Sequence, residues 1–152
     1  FGEKVAFDVV GFYEDAYKEQ VDQLVADGVV RFHGFQTDVH PFYEAADCVV
    51  LPSYHEGMSN VLLEGAATGR ALITSDIPGC REAVEDGVSG YLCPAQDAEG
   101  LTQAMRDFAQ QSFDRQVQMG QSGRALVERK FDKQLVVAKT LDGLGLPAAV
   151  RN

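Results

Sequence analysis

Short apolar, β-prone runs alternate with longer segments of helical periodicity along this chain, and the alternation limits the folds that it can adopt. Strands are predicted at residues 5–11, 29–32, 48–51, 71–75 and 90–93. Helices are predicted at residues 14–26, 38–46, 60–68, 80–85, 98–110, 113–130 and 132–144. Strands that alternate with helices form a parallel sheet with helices on both faces. The sequence therefore predicts the α/β class and a single Rossmann-like domain over residues 1–152.

The composition narrows the classes of partner and cofactor. A net charge of -10 argues against nucleic acid and against broad electrostatic binding to membranes. Cys48, Cys80 and Cys93 lack metal-ligand spacing, and their odd number predicts reduced thiols in a cytoplasmic protein. His33 and His40 have no evident partner in the sequence, so no metal site is predicted. The first strand is not followed by G-x-G-x-x-G, so we predict neither a nicotinamide nor a flavin site.

Residues 52–69 (PSYHEGMSNVLLEGAATG) combine the features of an anion-binding site at one junction between a predicted strand and helix. Gly57 lets a ligand approach the backbone closely, and Ser59 or Asn60 is a good N-cap. The first N–H groups of the helix have no partners within it and lie at the positive end of its dipole, where a phosphate is stabilised. Glu64 lies about one turn into the helix and can lean back to accept two hydrogen bonds from a sugar diol.

Glu56 in the loop and Glu64 in the helix, with seven residues between them, lie in the run SYHEGMSNVLLEGAATGRALITSDIPGCREAVEDGVSGYL. This run resembles the signature of the family 4 retaining glycosyltransferases, the glycosyl transferases group 1, which have the two-domain GT-B architecture. The similarity extends over residues 5–131. The resemblance implies that the chain is the C-terminal, nucleotide-sugar-binding half of a GT-B enzyme.

The resemblance also assigns roles to individual residues. Glu56 is implied to be the catalytic residue, which holds the donor sugar and stabilises charge near the anomeric carbon, and Glu64 is implied to bind the ribose. The backbone N–H groups of the loop would face the diphosphate, and the loop after the second strand would lie beside the base. The implied donor-binding residues are Glu64, Gly57, Met58, Ser59, Asn60, Gly34 and Phe35. Each side chain has a structural alternative: a first-turn acid for Glu64, a solvated loop acid for Glu56, and core packing for Phe35.

For the parent enzyme, the resemblance implies a nucleoside-diphosphate sugar as donor, with a weak preference for UDP, and retention at the anomeric carbon without a metal or other cofactor. The reaction would be hexosyl or N-acetylhexosaminyl transfer in the synthesis of bacterial surface polysaccharide or glycolipid. The implied partners are the donor, an N-terminal acceptor domain and a lipid-linked acceptor. A cytoplasmic location is expected, and the full-length enzyme could also contact the inner face of the membrane peripherally.

Two features depart from the family pattern. The usual Glu-Ala-Met-Ala is Glu-Gly-Ala-Ala at residues 64–67, a mild change because small residues still fit beneath the strand. The family's diphosphate-facing arginine and lysine come from an earlier strand–loop–helix. The residues ahead of Val5 do not supply that unit, since Lys4 lies directly before the first predicted strand. We therefore expect a chain that lacks the first strand–helix unit of its domain and is inactive by itself.

Other assignments are left open by the sequence. A UDP-sugar 2-epimerase would share the architecture but would need further acid and base residues near the sugar, and no convincing set is found. A non-catalytic module that binds a nucleotide or a protein is a second alternative, and a purely structural domain is a third. We interpret His55 as a surface residue, Arg81 and Glu82 as a structural pair, and residues 113–130 as a solvated outer helix.

Overall fold

The computed structural model describes residues 5–145, which divide into two compact units, residues 5–45 and 46–145. The elements of the first unit are β1 (Asp8–Val10), a 3₁₀ turn (Asp15–Tyr17), α1 (Lys18–Ala26), β2 (Arg31–Gly34) and α2 (His40–Ala45). Strands β1 and β2 pair in parallel, with Val9 opposite Phe32. Helix α1 gives way to a turn at Gly28, whose φ of +69° is a conformation that glycine adopts without steric cost.

The second unit contains a three-stranded parallel sheet in the order β3–β4–β5. Its elements are β3 (Cys48–Leu51), α3 (Asn60–Ala67), β4 (Ala71–Ser75), a 3₁₀ turn (Arg81–Ala83), β5 (Gly90–Cys93), α4 (Ala98–Ala109), α5 (Phe113–Phe131) and α6 (Lys133–Gly143). The strand register places Ile73 between Val50 and Tyr91. Because all three strands run in the same direction, their carboxyl ends meet at one edge of this sheet.

Strand β4 is the centre of the second unit, and all of its residues are buried. Because successive side chains of a strand point to opposite faces, its residues divide between two clusters. Leu72 packs in one cluster with Leu62 of α3 and Val127 of α5. Ile73 packs in the other with Phe108 of α4. Burial of each large apolar side chain contributes about 1.5–3 kcal/mol. Helices therefore cover both faces of this sheet, which confirms the predicted fold class.

Most predicted elements occur at or near their predicted bounds, and the three strands of the second unit match them residue for residue. The predicted helix at residues 80–85 is shorter than expected, because only Arg81–Ala83 forms a 3₁₀ turn. The backbone becomes extended at Val84, whose side chain is buried in the core. Strand β2 begins two residues later than predicted, at Arg31.

Helix α5 is not the solvated outer helix that the sequence predicted. Its buried residues are Met119, Gly120, Gly123, Leu126 and Val127. A Cβ atom built on Gly120 would lie 1.9 Å from the carbonyl oxygen of Gly69, so the helix backbone touches the turn between α3 and β4. Because two residues of this packing face have no side chain, the face does not stand out as an apolar stripe in the sequence.

Two sequence expectations are not tested by the described residues. The grouping of residues 1–152 into one domain stays a prediction. Lys4, which the sequence places directly before the first strand, lies outside the described residues. Within residues 5–145, every helix is too short or too polar to cross a lipid bilayer.

Candidate functional site

Residues 52–59, here called the β3–α3 loop, join the carboxyl end of β3 to α3. Helix α3 begins at Asn60 with Ser59 as its N-cap, since the Ser59 Oγ accepts a hydrogen bond from the N–H of Leu62 at 3.5 Å. Ser59 is only 3% exposed, so this cap is shielded from water. Of the two predicted N-cap residues, Ser59 is the N-cap in the structure. Asn60 is the first helical residue, and its N–H lies at the positive end of the helix dipole.

The backbone N–H groups around this helix start differ in their availability to a ligand. The N–H of Ser59 donates to the carbonyl oxygen of Gly79 at 3.1 Å. Gly57, Met58 and Asn60 donate their N–H groups to no acceptor in the part of the chain that the structure describes. Three of the four predicted amides can therefore face an anion in this conformation, while Ser59 caps the helix and ties the loop to a neighbouring turn.

Glu56 lies in the β3–α3 loop, and its carboxylate is oriented by Ser53. The Ser53 hydroxyl donates to Glu56 Oε1 at 2.8 Å. Glu56 is exposed, so its carboxylate remains accessible from solvent. Ser53 was not among the functional residues predicted from the sequence. The signal that could have found it is its place three residues before the glutamate and just after Pro52, where a short hydroxyl side chain can bond within a turn.

Glu64 lies on α3, one turn after its first residue, and is exposed. Its position agrees with the prediction, because helical side chains lean towards the N-terminal end of the helix. The next residue explains the departure from the family pattern. A Cβ atom on Gly65 would lie 2.9 Å from the Cγ2 of Val49 and 3.2 Å from the Cδ2 of Leu72. Glycine therefore lets α3 pack closely on β3 and β4, where an alanine would require these side chains to shift.

Gly34 and Phe35 belong to the first unit and follow β2. Gly34 ends the strand with a φ of +66°, and its carbonyl oxygen accepts a hydrogen bond from the N–H of Gly11 at 2.9 Å. Phe35 is 60% exposed and stacks on Phe12, with ring centroids 4.9 Å apart and an angle of 12° between the planes. Core packing is therefore not the role of Phe35. Contact with a nucleotide base stays a prediction. Phe12, the stacking partner of Phe35, was not predicted from the sequence.

Arg81 and Glu82 both have structural roles, but they do not pair with each other as predicted. The Arg81 Nε lies 2.9 Å from Oδ1 of Asp76, and its Nη2 donates to the Asp76 carbonyl oxygen at 2.8 Å. Glu82 Oε2 accepts a hydrogen bond from the N–H of Gly79 at 2.8 Å. The two side chains thus stabilise the turn after β4 by separate contacts.

The two histidines considered as metal ligands each have an aspartate partner, contrary to the expectation from the sequence. His33 Nε2 lies 2.6 Å from Asp8 Oδ1, and His40 Nδ1 lies 3.0 Å from Asp38 Oδ1. The hydrogen bond from His33, together with the nearby Arg31, holds the pKa of Asp8 below its usual value. No cluster of three or more potential metal ligands occurs within residues 5–145.

The three cysteines are free thiols. Cys80 and Cys93 are buried, and desolvation raises the pKa of each thiol. Burial, assisted by the neighbouring charge of Asp47, raises the pKa of Cys48 to about 12. All three thiols therefore stay protonated at neutral pH, and protonated thiols are poor nucleophiles.

The structure brings most of the predicted site residues together in one loop and the first turns of one helix. The residues in this group are Glu56, Gly57, Met58, Ser59, Asn60 and Glu64. Gly34 and Phe35 belong to the first unit. Exposed carboxylates beside unpaired N–H groups at the positive end of a helix form an arrangement that can bind a ligand carrying both an anionic group and hydroxyl groups.

Comparison with known proteins gives consistent matches. The family model of the glycosyl transferases group 1 matches residues 2–111. The lipopolysaccharide core biosynthesis glycosyltransferase LpsE of Rhizobium meliloti is 29% identical over 126 residues, which are 83% of this chain and 37% of that protein. The crystal structure of HepE from Anabaena in complex with UDP-glucose matches 94% of this chain and 41% of its own, with a TM-score of 0.80 and 22% identity. The C-terminal domain of LpcC, a glycosyl transferase group 1 family protein of Francisella tularensis, matches 78% of this chain and 62% of its own, with a TM-score of 0.66 and 26% identity.

These matches differ in what they establish. The likeness to HepE concerns the fold, and the chain spans well under half the length of both HepE and LpsE. The family match covers most of the chain, from residue 2 to residue 111. It includes the whole β3–α3 loop and α3, and it confirms the resemblance to GT-B glycosyltransferases. The chain belongs to the glycosyl transferases group 1 family.

Proposed function

We propose that this chain is the part of a glycosyltransferase that binds a UDP-linked sugar at the carboxyl end of β3. The observation that carries the proposal is the set of unpaired N–H groups of Gly57, Met58 and Asn60 next to the exposed carboxylates of Glu56 and Glu64. A related fold, that of HepE, has been crystallised with UDP-glucose, which supports UDP as the nucleotide.

Each part of the site has a distinct task in this proposal. The three N–H groups, aided by the dipole of α3, bind the diphosphate and stabilise the charge that develops on it as the glycosidic bond breaks. The carboxylate of Glu64 accepts hydrogen bonds from the ribose diol. Glu56, oriented by Ser53 at 2.8 Å, holds the sugar and stabilises positive charge near the anomeric carbon. Retention of configuration and independence from metal ions are proposed on the family resemblance.

The acceptor would reach the sugar from a second, N-terminal domain of the parent enzyme. We propose a lipid-linked acceptor and a role in bacterial surface polysaccharide or glycolipid synthesis, in a cytoplasmic enzyme that contacts the membrane peripherally. The name of LpsE, a lipopolysaccharide core glycosyltransferase, supports this pathway class. Hexosyl and N-acetylhexosaminyl transfer are both compatible with the site. The isolated chain is expected to bind donor weakly and to transfer no sugar, which an assay of UDP release with and without the parent's other domain would test.

The binding proposal can be tested by titrating the chain with UDP, GDP and ADP while the backbone amides are followed by NMR. We expect UDP to shift Gly57, Met58 and Asn60 more than Ser59, because the Ser59 N–H is engaged with Gly79. Glu64→Gln should weaken the binding of UDP. Absence of nucleotide-dependent shifts at all these amides, under millimolar UDP, would contradict the proposal.

A matched control separates ribose binding from a simple electrostatic effect on a helix. Glu99 is an exposed acid in the first turn of α4. If Glu64 only complements a helix dipole, Glu64→Gln should affect stability no more than Glu99→Gln, since Glu99 lies nearer its helix start, and neither variant should change nucleotide affinity. If Glu64 binds the ribose, only Glu64→Gln should weaken UDP binding, and its effect should be smaller for inorganic diphosphate, which has no ribose.

A further inference from the structure

The turn that follows β4 lies directly against the β3–α3 loop. Gly79 is the point of contact: it is buried and has a φ of +87°. A Cβ atom at this position would lie 1.6 Å from the carbonyl oxygen of Gly57 and 2.7 Å from that of Glu56. No side chain fits between these two backbones, and only glycine adopts this φ readily. The backbone carbonyl groups of Glu56, the proposed catalytic residue, and of Gly57, a proposed diphosphate-binding residue, therefore pack directly against Gly79.

Gly79 is held by hydrogen bonds on both sides of its own backbone. Its carbonyl oxygen accepts from the N–H of Ser59 at 3.1 Å. Its N–H donates to Glu82 Oε2 at 2.8 Å. The second bond has a carboxylate as acceptor, and such charge-assisted bonds are about twice as strong as those between neutral groups. A series of contacts thus runs from the Glu82 side chain through Gly79 to the N-cap of α3.

The remainder of the turn is also fixed. Arg81 contacts Asp76 twice, through its carboxylate at 2.9 Å and its carbonyl oxygen at 2.8 Å. The N–H groups of Cys80 and Arg81 both donate to the carbonyl oxygen of Ile77. These contacts therefore fix the position of Gly79 against the β3–α3 loop. Rigid support of this kind matters at a binding site, because groups that are already in position need less ordering when the ligand binds.

We propose that Glu82 is a positioning residue for the nucleotide-sugar site: by holding Gly79, it fixes the backbone of Gly57 and Ser59 so that the free N–H groups of the loop are arranged for the diphosphate. This inference rests on the proposed function. In it Glu82 contacts Gly79 and does not contact the nucleotide. The alternative is that Glu82 serves only the local 3₁₀ turn, Arg81–Ala83, with no effect on the loop.

The experiment compares Glu82→Ala, Glu82→Gln and Glu85→Ala. Glutamine retains a side-chain carbonyl that can accept the N–H of Gly79, so it should preserve the contact in weaker form. Glu85→Ala removes an exposed acid from the same segment and controls for the change in charge. Substitution of Gly79 itself is less informative, because a Cβ atom would collide with the Gly57 backbone and could unfold the chain.

The first readout needs no nucleotide. Hydrogen exchange of the Ser59 amide, whose acceptor is the Gly79 carbonyl, should accelerate roughly tenfold in Glu82→Ala, an effect typical of the loss of one hydrogen bond. The amides of β4 should keep their protection. The second readout is UDP affinity, which should fall roughly tenfold in Glu82→Ala, much less in Glu82→Gln, and not in Glu85→Ala.

The two readouts separate failure of this inference from failure of the proposed function. If UDP does not bind the unmodified chain, the proposed function fails, and so does the ligand-related part of this inference, while Ser59 exchange still reports whether Glu82 holds the loop. If UDP binds but Glu82→Ala leaves both Ser59 exchange and UDP affinity unchanged, Glu82 serves only its own turn and the inference is wrong. An equal acceleration of exchange throughout β4 would also overturn it, because that result indicates general loss of stability.

Discussion

Substitution of Gly120 by alanine should strongly destabilise the chain, although alanine is the better helix former. The new Cβ would lie 1.9 Å from the carbonyl oxygen of Gly69 and 2.7 Å from its carbonyl carbon. A relaxed contact needs about 3.5 Å, so α5 and the turn after α3 would have to separate by more than 1 Å at this point. Both contacting groups are backbone, and neither can rotate away. Overpacking costs about 1–3 kcal/mol and occasionally more. Because this contact is with backbone at 1.9 Å, we expect a cost at the upper end of that range, about 3 kcal/mol, which exceeds the gain of about 1 kcal/mol from helix propensity.

Gly123 provides a matched control on the same face of α5. A Cβ at Gly123 would meet Ser89 Cβ at 3.6 Å, the Arg70 carbonyl oxygen at 3.7 Å and Ala66 Cβ at 3.8 Å, which are ordinary contacts. Gly123→Ala should therefore leave stability unchanged or raise it by up to about 1 kcal/mol. Urea unfolding, followed by circular dichroism, measures the stability of both variants. The urea concentration at the midpoint should fall for Gly120→Ala, while the dependence of the unfolding free energy on urea concentration stays unchanged. Equal stability of the two variants would refute the packing of α5 described above.

Three further predictions concern single residues. Gln96 has a φ of +63°, so Gln96→Gly should raise the free energy of unfolding by up to about 1 kcal/mol, whereas Gln110→Gly, at a φ of -83°, should lower it. The pKa of Asp8 is lowered, chiefly by the hydrogen bond from His33. The ionised Asp8 therefore contributes its full stabilisation above the ordinary carboxyl pKa, and this stabilisation is lost as the pH falls through the lowered pKa. Asp8→Asn should remove that loss from the pH dependence of the unfolding free energy, measured in urea. Desolvation raises the pKa of the half-buried Cys48 to about 12, so a thiol reagent at pH 8 should label it slowly in the folded chain and rapidly in urea; fast labelling of the folded chain would contradict the raised pKa.

The strands of the second unit could be predicted residue for residue because each is a short apolar run with clear limits. Pro52 follows β3, and Pro94 follows β5. Strand β4 lies between Gly69, whose φ of +76° ends the preceding helical segment, and the turn at Asp76. Proline and glycine set backbone angles that are incompatible with continuation of an element, and this information is local in the sequence.

Features that depend on contacts between distant segments could not be predicted in the same way. The engagement of the Ser59 N–H depends on Gly79, which lies on a different turn of the chain. The packing face of α5 depends on two glycines, which leave no apolar signal, and on a turn at Gly69 far from it in sequence. Both features escape prediction for the same reason: the sequence pattern indicates which side chains could pack or bind, but not which backbone groups approach each other where side chains are missing.

The negative charge of the chain bears on how the proposed site could bind an anionic ligand. The whole chain has a net charge of -10, and the candidate site itself contains two carboxylates, Glu56 and Glu64. Overall electrostatics therefore oppose a diphosphate, and screening by salt removes only the long-range part of that opposition. In the β3–α3 loop, the attraction that we propose comes from oriented N–H groups within hydrogen-bonding distance, where direction and position count more than net charge. One of the four predicted amides, that of Ser59, is engaged in holding the loop. In the proposed site, the remaining three are arranged for an anion only while the loop keeps its shape, and we therefore expect Glu82, which contacts Gly79 and not the ligand, to influence whether a nucleotide binds.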